Sequence, residues 1–135
     1  MKVKQLFFDN KKIIRSVDRA TRRVLSRFGA FVRRTAKGSI RKRKKTSTPG
    51  QPPTSHTGLL KRFIFFSYDP NRKSVVIGPM RLDQNNRGDA PSALEYGGTV
   101  TLDKKKVNIR PRPYMGPAFE KEKPKLPQLW KNAIK

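Results

Sequence analysis

Between Asn10 and Ala36 the apolar residues fall at Ile13, Val17, Ala20, Val24, Phe28 and Phe31. These steps of three and four place them on one stripe, and the spacing predicts a long N-terminal amphipathic helix. Asp9 stands where an N-cap belongs, and Asp18 and Arg22 are an i,i+4 pair. Gly29, about 1 kcal/mol worse than Ala inside a helix, allows a bend or an early stop. About 27 residues at ~1.5 Å each reach roughly 40 Å, longer than a domain of this size needs. Part of the helix is therefore expected to contact a neighbouring subunit.

Gly38 ends the helical pattern, and Pro49, Gly50, Pro52 and Pro53 interrupt the chain soon after it. Proline lacks the N–H that ladders and helices use, so residues 38–56 are expected to form a flexible loop or extended arm. An apolar run from Phe63 to Phe66 then precedes "DPNR" and "KSVVIGP", the pattern of two strands around a turn, with Phe63 or Phe65 in the core. Residues 83–89 read as a polar surface loop. "PSALEYGG" reads as one helical turn closed by Gly97, and "TVTLDKKKVNIRP" as two more short strands turning at Asp103 to Lys105. In the C-terminal segment Pro117 suits the first helical position, with Glu120 and Glu122 near the positive end of the dipole. Pro124 and Pro127 divide it into two helices, the second running through Leu129, Trp130 and Ile134. The sum is an α+β fold in one domain: a helix (1–37), a basic Pro-rich loop (38–56), a small antiparallel sheet of about four strands (57–114) and a C-terminal helical segment (115–135).

Charge changes this picture. With 33 Lys and Arg against 9 Asp and Glu, the net charge is +24, which opposes compaction unless a polyanion or acidic neighbours surround the chain. Arg15, Arg19, Arg22, Arg23 and Arg27 recur at helical spacing opposite the apolar stripe, as either a solvated face or a contact surface. Arg41, Lys42, Arg43, Lys44 and Lys45 are consecutive in the arm. Arg41 to Lys45, together with Arg15, Arg19, Arg22 and Arg23, are the candidate contacts to DNA or to an acidic partner. "KRFIFFSYDPNRK" reads as a core strand with basic flanks or as a stacking platform for single-stranded nucleic acid.

Catalytic chemistry finds little support. The chain has no cysteine and one histidine, His56, so a zinc site would need three carboxylates, and His56 is the only ordinary base for a Ser or Thr nucleophile. The acidic residues are scattered, and neither phosphate-loop nor dinucleotide-binding glycine pattern occurs. No catalytic, metal or cofactor residue is assigned, and the chain is expected not to be an enzyme. No apolar run approaches the ~20 residues of a membrane span, and the apolar stretch near the N-terminus is too short for a signal peptide; the chain is expected to be soluble and unprocessed.

Three stretches in order then carry a resemblance. "SHTGLLKRFI" places Thr57, Gly58 and Leu60 before the first strand; "VVIGP", with Gly78 and Pro79, is followed by "ALEYGGT", with Glu95, Tyr96 and Gly97; and "IRPRPYMGPAFEKEKPKL" carries Arg112, Pro113, Tyr114, Pro117, Ala118 and Phe119. Together they resemble the tail-completion or head–tail joining (neck, virion morphogenesis) proteins of long-tailed bacteriophages. Tyr96 and the added Gly98 depart from that family's Glu-Phe-Gly-Thr element. The resemblance implies a structural virion protein, made in the bacterial host cytoplasm and located at the head–tail interface. It implies a homo-oligomeric ring, a hexamer matching the sixfold tail, between the head connector and the tail-tube or tail-terminator proteins, with phage DNA in its channel. Composition alone offers a different expectation, a basic RNA-binding protein of ribosomal type whose arm folds on RNA.

Overall fold

The computed structural model describes residues 10–79, 90–102 and 104–133. Asp9, the 83–89 loop, Asp103 and Ile134 lie outside the described residues. Helix α1 (Asn10–Ser39) has 30 residues, ~45 Å of rise, and runs unbroken through Gly29 instead of stopping there. A Cβ at Gly29 would stand 2.8 Å from Val75 Cγ2 and 3.0 Å from Phe66 Cδ2. The missing side chain lets a hairpin lie directly on the helix, and that packing outweighs the low helix propensity of glycine.

A short helix α2 (Leu59–Arg62) leads into the hairpin of β1 (Ile64–Asp69) and β2 (Ser74–Pro79). Its antiparallel register sets Ile64 opposite Pro79, Phe66 opposite Ile77 and Tyr68 opposite Val75. Phe63 closes α2, its N–H donating to the Leu59 carbonyl at 3.1 Å, and it lies outside the strand. The inward parity therefore falls on fully buried Ile64, while Phe65 is 42% exposed. The expectation that Phe63 or Phe65 fills the core is thus one residue out of register. Asp69 Oδ1 accepts from the Asn71 and Arg72 amides at 2.9 and 3.3 Å, which closes the turn.

Helix α3 (Ala90–Tyr96) has seven residues and ends at Gly97, whose N–H donates to the Ala93 carbonyl at 2.7 Å. Strands β3 (Gly98–Leu102) and β4 (Lys105–Ile109) form a second hairpin. The four strands are therefore two separate two-stranded sheets within the α+β fold, not one meander. Helix α4 (Met115–Glu122), a 3-10 turn (Lys123–Lys125) and helix α5 (Leu126–Ala133) finish the described chain. Pro117 is the third residue of α4 and not the first. It still costs no hydrogen bond there, because the first four N–H groups of a helix have no intrahelical acceptor.

One core joins α1, α2, the first hairpin, α3, α4 and α5. Phe28, Val32, Ala36 and Ile40 descend from α1 onto Ile64, Tyr114 and Ala118, with Leu60, Val75, Ile77, Leu94, Met115, Leu126 and Leu129 packed around them. Phe28 and Phe119 meet edge to face with centroids 5.8 Å apart. The buried residues follow steps of four along the C-terminal half of α1, as ridge packing requires.

Candidate functional site

The basic arm is folded back on the body. Arg41 bridges to Thr54, and the Ser55 N–H donates to the Arg41 carbonyl at 3.0 Å. Thr54 Oγ1 donates to the Lys45 carbonyl at 2.9 Å. Gly50 N–H donates to the Pro111 carbonyl at 2.9 Å, and Arg112 Nε to the Ser47 carbonyl at 3.0 Å. Backbone groups of the arm thus find fixed partners, although its side chains from Arg41 to Lys45 are all exposed. The sequence offered no motif for Ser47, Thr54 or Ser55, which do the anchoring, two of them through backbone groups that no side-chain pattern reports.

The helical cations are elsewhere. Arg15, Arg19, Arg22, Arg23 and Arg27 are spread along α1, largely accessible, and Arg23 lies ~24 Å of helix rise from Ser39. The two predicted basic clusters thus sit on different elements, with Arg33, Arg34 and Lys37 between them along the chain. The i,i+4 pair expected of Asp18 and Arg22 is replaced by longer-range contacts. Asp18 binds Lys73 Nζ at 2.9 Å, a hydrogen bond that raises the lysine above its ordinary value, and Arg22 lies 5.9 Å from the Tyr68 ring. Other cations also cover aromatic faces: Arg33 on Phe65, Arg34 and Lys125 on Phe31, and Lys123 on Phe119.

The acids, by contrast, are engaged in structural contacts. Asp69 closes the hairpin turn, and Glu122, buried at 4% exposure, accepts from Thr35 Oγ1 at 2.5 Å and pairs with Lys125 Nζ at 2.6 Å. Those contacts, Lys125 first, hold its carboxyl below the ordinary range. Glu95 accepts from the amides of Tyr114, Met115 and Gly116 at 2.9, 3.0 and 2.7 Å. It supplies the negative charge expected at the α4 N-terminus, where Glu120 and Glu122 had been expected to act. Among the described acids only Glu120 has no such contact, and none of the described acids pairs with a cation of the arm.

Glu95 also explains the motif residues physically. Arg112 N–H donates to the Leu94 carbonyl at 2.6 Å, and Gly97, at φ 78°, has Pro111 Cδ 2.9 Å from where a Cβ would stand. "ALEYGG" and "IRPRPYMGPA" are therefore two halves of one interlock. Tyr114 is buried beneath it, and burial, with the Glu95 charge adding, pushes its phenol up to about 12. Thr57 Oγ1 accepts the Leu59 N–H at 3.3 Å, and Gly58 N–H donates to Ser55 Oγ at 3.0 Å. Gly78 and Pro79 end β2 opposite Phe65 and Ile64. Tyr96, by contrast, is 80% exposed.

N-terminal to the Lys73 contact, no described residue covers the helix. Residues 11–17 are all exposed, and Ile13, Ile14 and Val17 are 56%, 50% and 54% accessible. This is an apolar face with no cover within the described residues.

No group of three or more His, Cys, Asp or Glu side chains capable of holding a metal occurs among the described residues, and no described helix is long and apolar enough to cross a membrane. His56 is exposed in the arm. Comparison with protein-family models, curated proteins and solved structures gives no match.

Proposed function

We propose that this chain is a structural virion protein of a tailed bacteriophage, a tail-completion or neck component that assembles as a ring at the head–tail junction around the DNA channel. The observation that carries the reading is the projecting end of α1. It presents Ile13, Ile14 and Val17 at least half in water, N-terminal to the Asp18–Lys73 contact and uncovered by any described residue. A head-to-tail neighbour covers such a stripe in every copy of a closed ring, whereas a lone subunit leaves it wet. The surplus cations fit the same arrangement: with the described acids largely engaged inside the subunit, counter-charge must come from enclosed DNA or from adjoining connector and tail proteins. The three motif stretches on which the resemblance to neck proteins rests contribute Leu60 and Ile64, Val75, Ile77 and Leu94, and Tyr114 and Ala118 to one core.

Negative-stain electron microscopy of the purified full chain, alone and with linear duplex DNA, tests the proposal. Closed rings with DNA in the central channel are expected, sixfold if the ring matches the tail. A monomer that binds ribosomal RNA tightly, with affinity falling steeply as salt rises, replaces this reading with the RNA-binding one.

A further inference from the structure

We propose that a cleft between the two limbs of the basic arm binds the phosphodiester backbone of duplex DNA. The cleft measures about 580 Å³ and is lined by Arg41, Arg43 and Lys45 on one limb. Thr48 and Gln51 add neutral donors around the bend. The five consecutive cations are thus divided. Alternate residues of an extended chain point to opposite sides, and Lys42 and Lys44 do not line the cleft. Lys42 instead turns toward Gly58, with its Cδ 4.0 Å from where a Cβ on that glycine would stand.

The cleft is held open before any ligand arrives. Thr54 is tied to Lys45, Gln51 N–H donates to the Thr48 carbonyl at 3.2 Å, and Arg112 grips the Ser47 carbonyl. Such pre-organisation lowers the ordering cost of binding. Ser47 Oγ is buried and has no hydrogen-bond partner among the described residues. Closed to solvent, that hydroxyl lies behind the cleft wall, so the phosphate contacts fall to the exposed cations and to Thr48 and Gln51.

The lining also selects the class of anion. It contains no acidic side chain, so nothing repels a dianion or a chain of monoanions. It contains no aromatic side chain, so bases cannot stack there as they do on single-strand binders. It lacks the aromatic or large aliphatic anchor of a typical protein hot spot. What remains is recognition of repeated backbone charge by two guanidinium forks and an ammonium, without sequence preference. This deepens the DNA contact of the neck reading, and it rests on that reading only in choosing DNA as the source of the phosphates.

Fluorescence anisotropy with a short labelled duplex tests it on the full chain, using two pairs of substitutions that remove equal charge. Arg43→Ser with Lys45→Ser should weaken binding at least tenfold and reduce the salt dependence by about two phosphate contacts. Lys42→Ser with Lys44→Ser should change affinity by less than about threefold. Equal losses from the two pairs overturn the site in favour of bulk charge. Displacement of the duplex by a few millimolar inorganic phosphate at constant ionic strength overturns DNA as the ligand in favour of a free phosphate. The unsubstituted protein gives a check independent of variant folding. Duplex DNA should protect Lys45 from acetylation more than Lys42 and Lys44, and equal protection of all three contradicts the proposal. Loss of rings in the microscope with these results intact removes the ring and leaves the cleft; rings with equal losses from both pairs do the reverse.

Discussion

Along α1, Val24, Phe28, Val32 and Ala36 are at most 3% exposed, whereas Ile13, Ile14 and Val17, on the same helical repeat, stand at 50% or more. The first set is covered by the hairpin and by α4 and α5; the second lies N-terminal to the Asp18–Lys73 contact and has no cover among the described residues. Helical spacing reports only that a face is apolar. What covers that face is a tertiary fact, and for the first turns of α1 it is not met within the described chain.

The contrast can be broken at its covered end. Phe28→Ala removes a ring that touches Phe119 and the hairpin side of the core, and should cost about 3 to 5 kcal/mol in chemical denaturation. Tyr114 belongs to the same core. Its raised phenol favours the neutral form on folding, so its contribution is fully present below the ordinary value of 10 and is lost as pH rises through about 12. That amounts to about 2 to 3 kcal/mol. Denaturation midpoints that stay level across this interval contradict its burial. Glu95→Ala leaves three amides at the start of α4 without their acceptor, and about 2 kcal/mol of stability should go with it. Glu95→Gln, which keeps an acceptor oxygen but loses the charge, should restore part of it. At the other end of the comparison, Ile13→Ser and Val17→Ser should change the stability of the isolated subunit by no more than about 0.5 kcal/mol, as read from the denaturation midpoint at low concentration. A loss as large as that of Phe28→Ala means that the face is already covered within the chain.

Much of the fold could be read from the order of residues. The 3.6-residue period of α1, the Asp69 turn and the helix stop at Gly97 are local signals, and local signals survive into the structure. What could not be read depends on neighbours distant in sequence. Gly29 looked like a breaker because propensity speaks for one helix alone, and only Val75 and Phe66 supply the reason for its presence. The parity of β1 was misassigned because four successive apolar residues contain no alternation, so the register was set by Phe63 capping α2. Glu95 acts across nineteen to twenty-one positions of chain, farther than any capping pattern extends. For the candidate sites, the run of five cations was plain to see. Its division into cleft-lining and outward residues was not, because it requires knowing that the arm is extended and bent back by Thr54 and Arg112.

Sedimentation velocity over a wide concentration range, run on the unsubstituted protein and on the variant carrying both Ile13→Asp and Val17→Asp, bears most directly on whether the bare end of α1 exists to be covered by another copy. The unsubstituted protein should move as a concentration-dependent assembly, and the variant as a monomer with an unchanged melting curve. An unsubstituted protein that remains monomeric at every concentration, with and without duplex DNA, contradicts it.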